Sequence, residues 1–312
     1  MSHLKSRTTS CSISSTYDEG AELALSIDAL SINGFTASDT SNVFVQDFDP
    51  GTDDVETSDL PNPVFNDTYM GVDFYRGPTW TFTFACLGST EREVMNNVAS
   101  LKAAWRNETT AKKAGALTAL KFNLAGEERT VYGRPRRFAC NPTRTIVNGY
   151  ATAQADFVLA DPIIYSGASK TQTLNSAPPL SVGLKEPLLE PLTVGGTGGV
   201  RQGVIEDTGG EAPAVFVVRV YGPGSDPWFS IDGHKYSFPG LSLAGGKYLN
   251  VDSRLGTATY NGANQLSRMS PRSRLKGVRL PASKSCEITF GINDSTGLAR
   301  CEFWWNPAHY TL

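Results

Sequence analysis

The chain has 312 residues, of which 40% are hydrophobic and 19% charged, with a formal net charge of -3. That balance supplies no basic field to hold a polyanion by counterion release, so tight nucleic-acid binding is not expected. Domains cluster near ~100–150 residues, which makes two domains the natural division, and no stretch approaches the ~18–20 apolar residues of a membrane span.

Residues 1–16 are rich in Ser and Thr, with Lys5 and Arg7 and no apolar segment behind them, so no secretory signal is read there. The first predicted strand is Leu23–Ile27, followed by an apolar stretch to Ile32 and an Asn33-Gly34 turn. Val43–Phe48 is the next strand, and Asp49–Thr68, with Pro50, Pro61 and Pro63, is too polar for a core. In Thr79–Cys86 strict alternation places Trp80, Phe82, Phe84 and Cys86 on one face and threonines on the other.

Thr90-Glu91-Arg92-Glu93 is a capping box, and Val94, Val98, Leu101 and Trp105 recur at helical spacing, which predicts one main α-helix ending before Asn107. Strands are expected at Leu117–Leu124 and Gly149–Leu159, with a hairpin in which Thr130–Tyr132 and Arg137–Cys140 flank a Gly133-Arg134-Pro135-Arg136 turn. The unit closes at Asp161-Pro162. From Ser166 to Glu211, Pro178-Pro179 and repeated Gly-Gly pairs mark a boundary followed by loops. Eight short strands then follow between Val215 and Trp305, one of them at Lys276–Leu280, and their Gly, Pro, Asn and Asp turns indicate a β-sandwich.

Five widely separated cysteines, Cys11, Cys86, Cys140, Cys286 and Cys301, include no Cys-x-x-Cys pair and no nearby histidine at ligand spacing. They read as reduced thiols of a protein made in a cytoplasm. The three histidines are isolated: His3 in a polar tail, His234 after an Asp232-Gly233 turn, and His309 at the C-terminal surface. No catalytic set, cofactor site or metal site is expected. The acids of the Asp47–Glu56 run lack the spacing of a calcium loop, and Gly195–Gly203 lacks the Lys-Ser/Thr and helix of a phosphate loop.

Arg134, Arg136 and Arg137 form the densest basic patch. They are candidates for carboxylate pairing across a subunit interface, with a solvated hairpin tip as the plain alternative. Trp228, Trp304 and Trp305 are candidates for stacking on a sugar, although one Trp of an adjacent pair is expected to face the core.

Trp80–Phe84, Leu101–Arg106, Val131–Phe138 and Ala155–Pro162 together resemble segments of the distal tail proteins, also called minor tail proteins, of long-tailed bacteriophages infecting actinobacteria. Tyr221–Trp228 and Leu243–Asp252 are similar to strands of that family's C-terminal galectin-like sandwich. The resemblance implies a mainly β protein with one main α-helix: a tail-tube-like β-barrel or belt domain in residues 1–165 and a galectin-like β-sandwich in residues 166–312. It further implies a non-enzymatic structural protein of the virion, assembled in the host cytoplasm into a ring, typically hexameric, at the tail tip. The partners it implies are further copies of the chain, the tail tube, the tape-measure protein, baseplate or tail-tip proteins and, as the alternative role of the sandwich, host cell-surface glycans.

Overall fold

Period-two alternation builds the first sheet. The structure, a computed structural model, describes residues 27–141, 143–176, 201–293 and 296–312. Strands β1 (Ile27–Ile32) and β2 (Phe35–Ser38) are joined through Asn33 and Gly34, whose φ values of 51° and 82° supply the left-handed pair that a two-residue hairpin requires. Strand β3 (Val43–Asp49) is followed by four short pieces, β4 (Asp54–Glu56), β5 (Leu60–Pro61), β6 (Thr68–Tyr69) and β7 (Phe74–Arg76). In β8 (Thr79–Leu87) Trp80, Phe82, Phe84 and Cys86 are buried and the intervening threonines are not, as the alternation requires.

Helix α1 (Glu91–Trp105) begins where the capping box lies. The Thr90 hydroxyl oxygen accepts from the Glu93 N–H at 3.2 Å, while the Glu93 carboxylate reaches past the cap to the Ser89 hydroxyl at 2.6 Å and N–H at 2.8 Å. Its apolar stripe, Val94, Val98, Leu101 and Trp105, is buried against the sheet. Trp105 meets the rings of Phe82, Phe84 and Phe157 edge-on at 5.7–6.2 Å, and its indole N–H donates to the Asp156 carbonyl at 3.2 Å.

A short helix α2 (Glu108–Ala111) precedes β9 (Thr118–Leu124), β10 (Glu127–Cys140) and β11 (Tyr150–Leu159). The strand order is β2-β1-β9-β10-β11-β8-β3. The Gly133–Arg136 segment is therefore no hairpin turn: it lies inside the 14-residue strand β10. Gly133 permits this, because a Cβ there would collide with the Val158 carbonyl and the Phe157 ring of β11. A register shift between Pro135 and Phe138 bulges the strand at the arginines.

The second half holds β12 (Ile164–Ser166), β13 (Lys170–Asn175), β14 (Arg201–Ile205), β15 (Phe216–Tyr221), β16 (Gly224–Ile231), β17 (His234–Ser237) and β18 (Ser242–Leu243). It continues with β19 (Tyr248–Asp252), β20 (Thr257–Tyr260), β21 (Ala263–Asn264), β22 (Cys286–Asn293), β23 (Arg300–Trp305) and β24 (Ala308–His309). Two antiparallel sheets, β13-β23-β15-β19-β20-β21 and β14-β22-β16-β17 with β18, enclose one core, where Phe229 and Phe303 meet at 6.1 Å. Two expectations change. The stretch after Ser166 contributes β13 and β14, where loops were expected, and Lys276–Leu280 is not a strand but supplies a single bridge from Leu280 to Ala214.

The described residues thus form two hydrophobic cores, Ile27 to Ile164 and Tyr165 to Ala308, which meet at β12. That strand pairs with β10 on one side and β24 on the other. Beside it the Arg254 guanidinium lies 3.6 Å from the Tyr132 ring centre and 4.3 Å from that of Tyr165, with Asp161 at 3.8 Å. Burial pushes the Asp161 carboxyl up, against the pull of Arg254 and Arg279.

Because Trp80 and Trp105 anchor the first core, Trp80→Ala or Trp105→Ala is expected to cost about 3–5 kcal/mol in urea unfolding. A variant of either that unfolds at the wild-type midpoint would remove that residue from the core.

Candidate assembly surfaces

Between β3 and β8 the chain leaves the first core as a hairpin arm. Asp54–Glu56 pairs with Phe74–Arg76, and Leu60-Pro61 pairs with Thr68-Tyr69. Polar contacts hold the two halves together: the Ser58 hydroxyl donates to the Val72 carbonyl at 3.0 Å, the Gly71 N–H donates to the Asp59 carboxylate at 2.7 Å, and Arg76 pairs with Glu56. At about 3.3 Å per residue the arm reaches about 30 Å. The expectation that Asp49–Thr68 stays out of the core holds, but the segment is not simply polar. Nine large apolar side chains lie exposed along the arm as a whole, including Val64 (75%), Phe65 (71%) and Met70 (80%). Residues 51–77 also carry six acids against Arg76 alone.

A groove of about 540 Å³ opens on the opposite chemistry. Strand β9 pairs with β10 only as far as Gly133, so the bulged half of β10 faces α2 and the end of α1 across open space. Pro135, Phe138 and Ala111 contribute apolar surface, and Lys102, Arg106, Lys112, Arg134 and Arg136 line it against a single acid, Glu108. Glu108 pairs with Lys112 at 2.8 Å and, more distantly, with Arg106 at 3.9 Å.

The three predicted interface arginines separate here. Arg134 turns inward and donates to the Ala116 and Lys113 carbonyls at 2.9 and 2.7 Å, fastening the connection between α2 and β9. Two of its five N–H donors are thereby committed within the chain. Arg136 and Arg137 are exposed at the bulge, and of these two Arg136 lines the groove, as Arg134 does.

The tryptophans do not form one surface. Trp305 is 5% exposed, with its indole N–H donating to the Thr208 carbonyl at 2.8 Å, so its ring has no free face for a sugar. Trp228 and Trp304 are half-buried on different sheets of the sandwich, each under a cation: Lys235 at 4.0 Å from the Trp228 ring centre and Arg219 at 5.5 Å from that of Trp304.

His309 departs from its surface assignment. Its Nε2 lies 3.1 Å from the Ser166 hydroxyl and its Nδ1 lies 2.8 Å from the Glu211 carboxylate. A serine, a histidine and a carboxylate in that chain are the parts of a nucleophilic hydrolase. Such chemistry also needs donors aimed at the developing oxyanion. The Ser166 N–H donates to the Pro307 carbonyl at 2.9 Å and the Gly167 N–H to the Glu128 carbonyl at 2.7 Å, so neither backbone donor beside the hydroxyl is free to stabilise developing charge. The trio instead ties β24 to β12 and to the segment around Glu211. No signal in the sequence pointed to it, since its members are 98 and 143 residues from His309.

No protein-family model matches the sequence, and no curated protein matches it. Solved structures do. The hub protein Dit (gp 19.1) of phage SPP1, described as a paradigm of the hub adsorption apparatus in phages infecting Gram-positive bacteria, aligns with a TM-score of 0.56 at 12% identity, covering 90% of this chain and 98% of that one. A chain of the phage P2 baseplate in its activated conformation with Ca aligns at 0.52 and 10% identity over 89% and 97%; the Sr form gives 0.51 and 11% over 89% and 96%. At this identity the likeness is one of fold.

The Glu211 carboxylate sets the acid response of the clasp. Burial alone would push its carboxyl up, but hydrogen bonds from its own backbone, His309 and the Tyr310 N–H outweigh burial and hold it at about 2. A carboxylate depressed below its unfolded value of about 4.3 stabilises the fold fully above that pH and loses the contribution as pH falls towards about 2. Glu211→Gln is therefore expected to unfold earlier in urea than the wild type at pH 7, with the gap closing by about pH 2.5. A gap unchanged between those pH values would show that the carboxylate charge plays no part in the clasp.

Proposed function

We propose that this chain is a structural virion protein at the distal end of a long-tailed phage tail, where copies close into a six-membered ring joining the tail tube to the baseplate and receptor-binding apparatus. The arm is the observation that carries the reading. An isolated two-stranded hairpin is at best marginally stable in water, and contiguous exposed apolar surface marks a protein contact. An acidic hairpin with nine exposed large apolar side chains is a surface awaiting a neighbour.

The likeness in fold to a phage hub protein over 90% of this chain supports the same role. So does the resemblance of segments such as Trp80–Phe84 and Val131–Phe138 to distal tail proteins of phages infecting actinobacteria. In this reading the first core, with its large antiparallel sheet, forms the tube-like barrel or belt and the sandwich is the outward galectin-like domain. The protein does no catalysis, in keeping with the consumed donors beside Ser166. The free, buried thiols Cys86, Cys286 and Cys301 suit assembly in the host cytoplasm.

Replacing Asp54–Arg76 by a short Gly-Ser turn is expected to leave both cores folded and to abolish assembly. Light scattering should then report a monomer where the full chain forms an oligomer, and electron microscopy should show rings with a central channel for the full chain alone. Oligomers that persist without the arm would overturn the reading.

A further inference from the structure

We infer that the tip of the arm from one copy seats in the cationic groove between α1, α2 and the bulged half of β10 on the next copy. The inference rests on the self-assembly reading above and adds the site where the arm lands.

Three observations converge on it. The first is shape and polarity. The arm tip presents Val64 and Phe65, among the most exposed apolar side chains of the described residues, and the groove offers apolar walls at Pro135, Phe138 and Ala111 within about 540 Å³. That volume falls within the range of about 300–1,000 Å³ for binding pockets, enough for two side chains of a hairpin tip.

The second is charge. Asp59 and Asp67 flank the tip, and the groove rim carries Lys102 and Arg136, neither of which has an ion-pair partner among the described residues. The chain as a whole is nearly neutral, so gathering its acids on one projection and cations around one groove creates two complementary patches. A head-to-tail ring needs two different matching patches on each copy.

The third is a built-in support. Arg134 donates to the Ala116 and Lys113 carbonyls, which holds the α2 side of the groove against β10. Asn107 caps α2 through the Thr110 N–H at 3.2 Å and donates to Asn33 at 2.7 Å, fixing the same wall to the β1–β2 turn. The groove is thus formed before any partner arrives, and pre-organised surfaces bind at lower entropic cost.

Two variants, each missing one half of the contact, test it. Val64→Ser with Phe65→Ser removes the apolar tip, and Lys102→Gln with Arg136→Glu removes the two unpaired cations of the groove and adds an acid; all four side chains are exposed, and matching melting curves would verify that both variants fold. Each variant alone is expected to assemble at least about 30-fold more weakly than the wild type in analytical ultracentrifugation. Mixed in equal amounts they should form a 1:1 dimer, because one intact arm and one intact groove remain. A groove variant that assembles as the wild type does, or a mixture that stays monomeric, overturns the groove as the landing site. If deleting the arm abolishes assembly while the groove variant keeps it, the ring reading stands and only this contact fails. A full-length chain that is monomeric at every concentration overturns both.

Discussion

Ile164 and Tyr165 are consecutive residues of one strand, and they enter different hydrophobic cores. The pleat of a β-strand forces this, because neighbouring side chains point to opposite faces. One three-residue strand therefore serves as the shared wall of both halves, with β10 on one side and the returning β24 on the other. Arg254 closes the seam from the sandwich side, its planar cation lying over Tyr132 of the first half and Tyr165 of the strand itself. A desolvated cation over aromatic rings contributes about 2 kcal/mol. Shifting one half against the other would have to break that stack, the β12 ladder and the Ser166–His309–Glu211 clasp together.

With the two halves tied at the seam, the first half is free to project its arm. The sheet edge at β3 runs out into the hairpin, and none of the nine large apolar side chains of that hairpin finds cover within the described chain. In a monomer this is a liability, since exposed strands and apolar patches recruit neighbours. The acids along the arm limit indiscriminate association: an apolar surface fringed by like charges repels its own kind and favours a cationic partner.

The Ser166–His309–Glu211 arrangement joins three segments that are far apart in the chain. Its distances fall within ordinary hydrogen-bond range, yet catalysis by such a trio depends on donors aimed at the developing oxyanion. Here the Ser166 and Gly167 N–H groups are bonded to the Pro307 and Glu128 carbonyls. What remains is a polar latch whose acid dependence comes from Glu211 and whose mechanical role comes from the strands it joins.

The sequence by itself determined the local elements. Alternation in Thr79–Cys86, the capping box at Thr90–Glu93, the helical stripe ending at Trp105 and the Asn33-Gly34 turn all appear in the structure, because each is governed by contacts within a few residues and by a burial pattern written directly in residue type. Distance in the chain decided the rest. Gly133–Arg136 has the composition of a turn, yet pairing with β11, which a Cβ at Gly133 would block, draws it into a strand. The three neighbouring arginines looked equivalent, but Arg134 lies within reach of two carbonyls 18 and 21 residues away, while Arg136 and Arg137 sit on a bulge facing solvent. The apolar residues of the arm and the cations of the groove are likewise ordinary residue types in sequence. Only the tertiary arrangement leaves the first without a core and gathers the second around one cleft, because burial and charge clustering depend on which distant segments the sheet order brings together.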